Sequence, residues 1–200
     1  MAEPLILAST SIYKKMLLER LNISFTAVSP NTNEQPLPNE TPKSLAIRLA
    51  KEKALAVLAT NPNAIVIGAD QVGELNGKVL GKPETFDKAF EQISNQSGNT
   101  VYFHSAICVL KQQKNGEITQ ESKLNTTKVQ FKQLSQQQIE RYIKAEEPYD
   151  CAGSFKSEGL GISLFSSIES NDPTSLIGLP LIDLCSTLEY FGFNIPNISN

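Results

Sequence analysis

A mixed α/β fold is what this sequence predicts, and three observations predict it. A short apolar run, Leu5-Ile6-Leu7-Ala8, passes through the hydroxyl-rich turn Ser9-Thr10-Ser11 into a helical pattern. That is a strand, a turn and a helix. Two turn signals, Asn76-Gly77 and Asn115-Gly116, each join runs of strand character, so antiparallel pairs are expected too. Helical periodicity recurs between these runs and again near Leu181 to Leu188. Helices interleaved with hairpins fit a mixed sheet.

The elements follow in order. The first helix continues through Leu17, Leu18 and Leu21. The stretch from Asn31 to Pro42 holds three prolines and is a loop. Thr41-Pro42 is a cap followed by proline at the first helical position, opening a helix to about Thr60. Ala64 to Val72 is a strand, and Lys78-Val79-Leu80 returns after the Asn76-Gly77 turn. Pro83 to Gln96 reads as a helix, and Asn99 to Leu110 with Ile118 to Phe131 as a long strand pair. Leu134 to Ala145 is a polar helix capped by Ser135. Gly153 to Gly161 is irregular, and Leu176-Ile177 reads as a short strand. Pro180 opens a last helix with Leu181, Leu184, Cys185 and Leu188 on one stripe.

Composition narrows the function. A chain of 200 residues, 40% of them hydrophobic, can hide roughly 70% of its unfolded surface without staples. One domain over residues 1–200 is expected. A formal net charge of -3 argues against a nucleic-acid polymer as partner. Cys108, Cys151 and Cys185 are too few and too far apart for a disulfide framework or a zinc site. The start lacks a signal-peptide pattern, and no run approaches the ~20 apolar residues of a membrane span. A cytoplasmic protein is the expectation.

Several charged residues sit where a purely structural reading explains them poorly. Lys14 and Lys15 fall in a first helical turn, where the macrodipole disfavours cations. With Ser9, Ser11 and the free helix N–H groups they would cradle a phosphate. A solvated lysine pair beside a serine cap is the alternative. Lys53 shares the apolar face of Ala46, Leu49, Ala50 and Val57, so it needs an anionic partner or a stem that snorkels out. Asp70 closes the run Ile65-Val66-Ile67-Gly68-Ala69, where a carboxylate serves as metal ligand, base or cap. Alternation sends Asp70 and Gln71 to opposite faces, so both serve one site only if the strand kinks. Lys82, held extended by Pro83, suits a phosphate at a helix start. Glu146 and Glu147 read as solvated, His104 as structural, and Cys151 has no histidine nearby to make it a nucleophile.

Leu7-Ala8-Ser9-Thr10-Ser11, Glu52-Lys53-Ala54, Gly68-Ala69-Asp70-Gln71-Val72 and Gly81-Lys82-Pro83 resemble, in order, the motifs of the Maf nucleotide pyrophosphatases. The likeness runs from Leu5 to about Leu188. Asp150-Cys151-Ala152-Gly153-Ser154-Phe155-Lys156-Ser157-Glu158-Gly159, with Asp172-Pro173 and Leu176-Ile177-Gly178-Leu179-Pro180-Leu181, resembles the branch that acts on 7-methyl-GTP. The branch acting on dTTP and UTP carries glutamine where this chain has Glu158.

The resemblance implies an elongated, twisted mixed sheet flanked by helices, with a cleft between two lobes, as in Maf and ITPase-like proteins. It implies hydrolysis of 7-methyl-GTP to 7-methyl-GMP and diphosphate. Asp70 then resembles the proton acceptor. Ser9, Ser11, Lys14, Lys53 and Lys82 resemble the phosphate-binding set, and Tyr13, Gln71 and Glu158 the positions tied to substrate choice. Glu34 and Asp70 would hold a divalent cation, Mg2+ or Mn2+. Two departures are visible. Ile12-Tyr13-Lys14-Lys15 replaces the usual proline, tryptophan or arginine, and arginine, so Lys14 keeps charge but loses the guanidinium fork. Asn33 replaces an aspartate common before Glu34. The alternatives are a dTTP or UTP pyrophosphatase of the same family and a non-catalytic nucleotide-binding regulator of cell division. The partner is a small nucleotide, with a homodimer left open.

Overall fold

The computed structural model describes residues 3–196. Strands β1 (Leu5–Ala8), β2 (Thr26–Ala27), β3 (Ile65–Leu75), β4 (Lys78–Leu80), β5 (Thr100–Gln112), β6 (Ile118–Phe131) and β7 (Phe165–Glu169) form one sheet. Helices α1 (Ile12–Glu19), α2 (Pro42–Leu58), α3 (Phe86–Gln96), α4 (Gln136–Glu146) and α5 (Leu181–Tyr190) flank it. The order is β2-β1-β3-β5-β6-β7, with β4 also on β3. The expected mixed α/β fold is therefore present.

The sheet is mixed because its halves are connected differently. β1 lies parallel to β2 and β3, which requires crossovers; α1 and α2 supply them. The remaining pairs are antiparallel, and β5 and β6 run together from Thr100 opposite Gln130 to Gln112 opposite Ile118. Period-two alternation splits the core. Ile6, Ala8, Val66, Ala106 and Cys108 face α2, where Ala46, Leu49, Ala50 and Val57 pack on them. Leu5, Leu7, Ile65, Ile67 and Ile107 face Leu17 and Leu18 of α1 and Leu184 and Leu188 of α5. A third cluster, around Val101, Phe103, Phe131 and Phe155, packs under α3 and α4. The first two clusters and the third make two lobes joined by the long strands.

One contact sets the spacing of α2 on the sheet. A Cβ on Gly68 would stand 2.0 Å from the Ala50 carbonyl oxygen and 2.8 Å from the Ala54 Cβ. Ala46, Ala50 and Ala54 recur every four residues and form a shallow ridge along α2. Glycine against alanine lets the helix backbone rest almost directly on β3.

Four local expectations change. The strand from Ala64 does not end at Asp70 or Val72 but runs to Leu75, so Asp70 sits mid-strand. The helix expected from Pro83 starts at Phe86, because Glu84 adopts φ +64° and Thr85 caps the helix by accepting from the Lys88 N–H. Lys82 is therefore in a loop ahead of the cap. Ser175–Ile177 is a 3-10 turn rather than a strand, since hydroxyl and carboxylate groups nearby satisfy its backbone. Glu146 is not merely solvated: its Oε2 accepts from the Leu160 N–H at 2.6 Å. Strands β2 and β7 had no sequence signal, being short and mostly exposed.

Gly68→Ala is expected to destabilise the protein by about 3 kcal/mol or more, since backbone must move to admit the methyl group. Urea denaturation followed by circular dichroism measures it, and an unchanged midpoint would refute the close approach.

Candidate active site

The cleft arises from a gap in the sheet. β1 stops at Ala8, opposite Gly68, and β4 takes up the same edge of β3 at Gly73, opposite Leu80. The other edge of β3 is paired with β5 without interruption from Ile65 to Glu74. Ala69, Asp70, Gln71 and Val72 thus have one edge without a partner strand. A cleft of about 830 Å³ opens there, lined by both lobes. Asp70 and Gln71 still point to opposite faces, yet both line it. The expected kink is not required, because a gap is accessible from either face; the β3–β5 register shows no shift.

Lys53 sits on α2 one residue before Ala54, and Asp70 lies two residues beyond Gly68 on the same strand face. The close approach at Gly68 therefore brings them together. Lys53 Nζ donates to Asp70 Oδ1 at 2.6 Å and lies 2.6 Å from Glu34 Oε1. Lys53 and Asp70 are each 7% exposed, so Lys53 does not snorkel. Burial alone would lower the Lys53 pKa, but Asp70 and Glu34 outweigh it and raise it. Burial raises the Asp70 pKa, with Lys53 and Lys14 pulling against it. Burial works to raise Glu34 as well, but the Lys53 hydrogen bond, with Lys14 and Lys82, brings it below its ordinary value.

Ser9 and Ser11 shape the turn after β1. The Ser11 N–H donates to Ser9 Oγ, and Ser11 caps α1 by accepting from the Lys14 N–H. Both oxygens are used as acceptors, and each hydroxyl keeps its proton to donate. The N-terminus of α1 opens into the same cleft. Lys14 lines it, while Lys15 is exposed and pairs with Glu19. Burial lowers the Lys14 pKa; Asp70 opposes that, and Lys53 adds to it. Among the described residues, Lys14 and Lys82 make no ion pair, in contrast to Lys53. Lys14, Lys53 and Lys82 outnumber Glu34 and Asp70 by one where these groups meet, which suits an anion, whereas Glu84, Asp150 and Glu158 line the rest of the cleft.

Tyr13, Asp150, Cys151, Ser157 and Glu158 also line the cleft, with the Tyr13 phenol near the three acidic or thiol groups. Burial, then Cys151, Asp150 and Glu158, push the Tyr13 phenol up to about 12, so it stays protonated. The segment bearing Glu158 is pinned by its neighbours. Phe155 packs edge-on against Phe103 and Phe165 at 5.1 and 4.8 Å. The Lys156 N–H donates to the Tyr142 hydroxyl, and Lys156 Nζ to the Glu146 carbonyl. Gly153, at φ +78°, lies where a Cβ would meet the Phe103 ring at 3.0 Å.

Of the residues singled out in the sequence, Ser9, Ser11, Tyr13, Lys14, Glu34, Lys53, Asp70, Gln71, Lys82 and Glu158 line one cleft, and Lys15 does not. Sequence reasoning missed Arg48, which holds the Glu34 loop. Its guanidinium grips both oxygens of Glu40 and donates to the Gln35 carbonyl. The spacing of Glu40, Arg48 and Glu52 carried a helix-pair signal, but the loop contact did not. His104 is fully buried between Glu74 and Thr126, in keeping with a structural role. The described residues hold no cluster of three or more His, Cys, Asp or Glu side chains able to enclose a metal. Glu34 and Asp70 nevertheless converge on one ammonium, and two carboxylates suit a hard cation that completes its shell with water and phosphate oxygens. No helix among the described residues is long and apolar enough to cross a membrane.

Comparison with known proteins bears on the fold and the family. The fold resembles the solved Staphylococcus aureus Ham1 protein, with a TM-score of 0.51 and 14% identity over 93% of this chain and 99% of that one. The 7-methyl-GTP pyrophosphatase of Xanthomonas axonopodis pv. citri (strain 306) is 51% identical over 96% of this chain and 98% of its own length. That of Polaromonas sp. (strain JS666 / ATCC BAA-500) is 48% identical over 96% of this chain and 86% of its own. That of Nitrosococcus oceani is 46% identical over 96% and 94%. The family model described as Maf-like protein matches residues 4–191, so the chain belongs to the Maf family and is a nucleotide pyrophosphatase, a hydrolase of acid anhydrides.

Proposed function

We propose that this protein hydrolyses 7-methyl-GTP to 7-methyl-GMP and diphosphate. The observation that carries the reading is the buried pair of Asp70 with Lys53 beside two further cleft lysines, Lys14 and Lys82, that make no ion pair among the described residues. The names of relatives about half identical over nearly the whole chain support the substrate.

A triphosphate brings about four negative charges, and each needs a counter-charge in a partly dry site. Lys14, Lys53 and Lys82 face the phosphates, and Ser9 and Ser11 donate to their oxygens. A divalent cation, Mg2+ or Mn2+, would be held by Glu34 and Asp70 and would supply charge neutralisation on the phosphates. Asp70 accepts a proton from water as the water oxygen attacks the α-phosphorus. The bond from that phosphorus to the bridging oxygen breaks, and pyrophosphate leaves with its charge spread over the lysines. Lys53 opposes the burial that raises the Asp70 pKa and fixes where its oxygens point. Most of the acceleration comes from positioning and charge stabilisation.

The other end reads the base. Methylation at N7 makes guanine cationic, and a cation over an aromatic face gains roughly 0.5–2 kcal/mol; Tyr13 offers such a face. Glu158 is acceptor-only when ionised and suits the adjacent N1–H and 2-amino donors of guanine.

Asp70→Asn is expected to cut pyrophosphate release by about 10²-fold or more while nucleotide still binds; calorimetry and a pyrophosphate assay separate the two. Binding without release in the wild type would instead favour the regulator. Glu158→Gln is expected to lower 7-methyl-GTP turnover far more than UTP turnover, and equal losses would remove Glu158 as base reader. The thiol of Cys151, pushed up to about 12 by burial and then Asp150, stays protonated at neutral pH. Its alkylation by iodoacetamide is expected to be slow at pH 7 and to rise about tenfold per unit to pH 9. A plateau near pH 8 would contradict that environment.

A further inference from the structure

Gln71 is held in one orientation by groups outside the motif that contains it. Its Nε2 donates to the Ser175 carbonyl and the Leu176 carbonyl, each at 2.9 Å, and lies 3.1 Å from Ser105 Oγ. Both amide hydrogens are engaged. Rotating the amide by half a turn would set Oε1 against two carbonyl oxygens, and the one hydroxyl in reach, Ser105, already donates to the Ser175 carbonyl. Oε1 is left as the free end. It lies 4.0 Å from the point where a Cβ on Gly178 would stand, and that same point is 3.8 Å from Lys14 Nζ.

The two carbonyls are themselves fastened. Asp172 is 1% exposed. Its Oδ1 accepts from the Thr174 N–H at 2.8 Å and the Thr174 hydroxyl at 2.6 Å, and its Oδ2 from the Ile182 N–H at 2.6 Å. Thr174 Oγ1 also accepts from the Leu181 N–H at 2.9 Å. One carboxylate thus ties both ends of the segment from Thr174 to Ile182. Ser105 Oγ donates to the Ser175 carbonyl at 2.7 Å, anchoring the segment to β5.

We propose that Asp172 and Ser105 are positioning residues that lock Gln71 as an obligate acceptor, so the cleft selects a nucleotide whose base presents an N–H or amino donor there. The inference rests on the nucleotide reading above. A freely rotating glutamine would accept donors and acceptors alike; a locked one rejects an acceptor, since two oxygens would face each other unpaired.

The test compares dissociation constants for 7-methyl-GMP and for pyrophosphate, which engages only the phosphate end. Gln71→Glu is the sharpest variant. Locking requires hydrogens on the atom facing Ser175 and Leu176, so the near-isosteric glutamate should bind 7-methyl-GMP more weakly than Gln71→Ala does. A glutamate that binds as well as alanine, or better, overturns the proposal. Ser105→Ala and Asp172→Asn should weaken 7-methyl-GMP about tenfold and leave pyrophosphate within about twofold. Equal weakening of both ligands, or none of either, overturns the positioning role. Ser105→Ala removes one oxygen and decides the matter if Asp172→Asn does not fold. Should the wild type release no pyrophosphate from any triphosphate, the enzymatic reading falls; the two constants still decide the lock.

Discussion

The buried ion pair between Lys53 and Asp70 is the interaction on which the cleft depends. Removing one partner from such a pair leaves an uncompensated buried charge, costing about 3–5 kcal/mol. The pair exists because α2 lies unusually close to β3. A glycine on the strand and alanines on the helix remove the side chains that would hold the two apart. Packing of the smallest residues and placement of the most reactive ones are one event in this fold. The third member, Glu34, is 61% exposed and belongs to a loop, so the triad joins a rigid floor to a more accessible wall.

The second organising feature is an edge left without a partner. Edges in sheets are usually paired or blunted, because bare N–H and C=O groups invite association. Here the exposure is short, lies between two strands that share the same edge, and is lined by charges. An edge interrupted in this way gives both faces of one strand access to a single space. It explains how neighbours of opposite orientation, Asp70 and Gln71, line one cleft.

Much of this was legible in the sequence, and the rest was hidden for physical reasons. The elements around the cleft followed from turn chemistry and periodicity, as with the Asn115-Gly116 hairpin and the Thr41-Pro42 start of α2. Lys53 stood out because a lysine on an apolar helical face is costly without a partner. What stayed hidden depends on register or on loops. Ser105 lies opposite Gln71 only through the β3–β5 pairing, which no local pattern specifies. Arg48 reaches back to a loop eight residues earlier, and Asp172 forward to a helix start ten residues later. The helix expected from Pro83 failed because a side-chain cap at Thr85 outcompeted proline's preference for a first turn.

The gap in β3 also acts as a ruler. Four residues of strand span about 13 Å, with the Ser9-to-Ser11 turn after β1 beyond one end and Lys82 after β4 beyond the other. For a ligand that touches both ends, attachment at one raises the effective concentration at the other. Cleavage severs that link. A fragment that touches only one end lacks the advantage of double attachment, so a geometry that captures an intact ligand also lets its halves go.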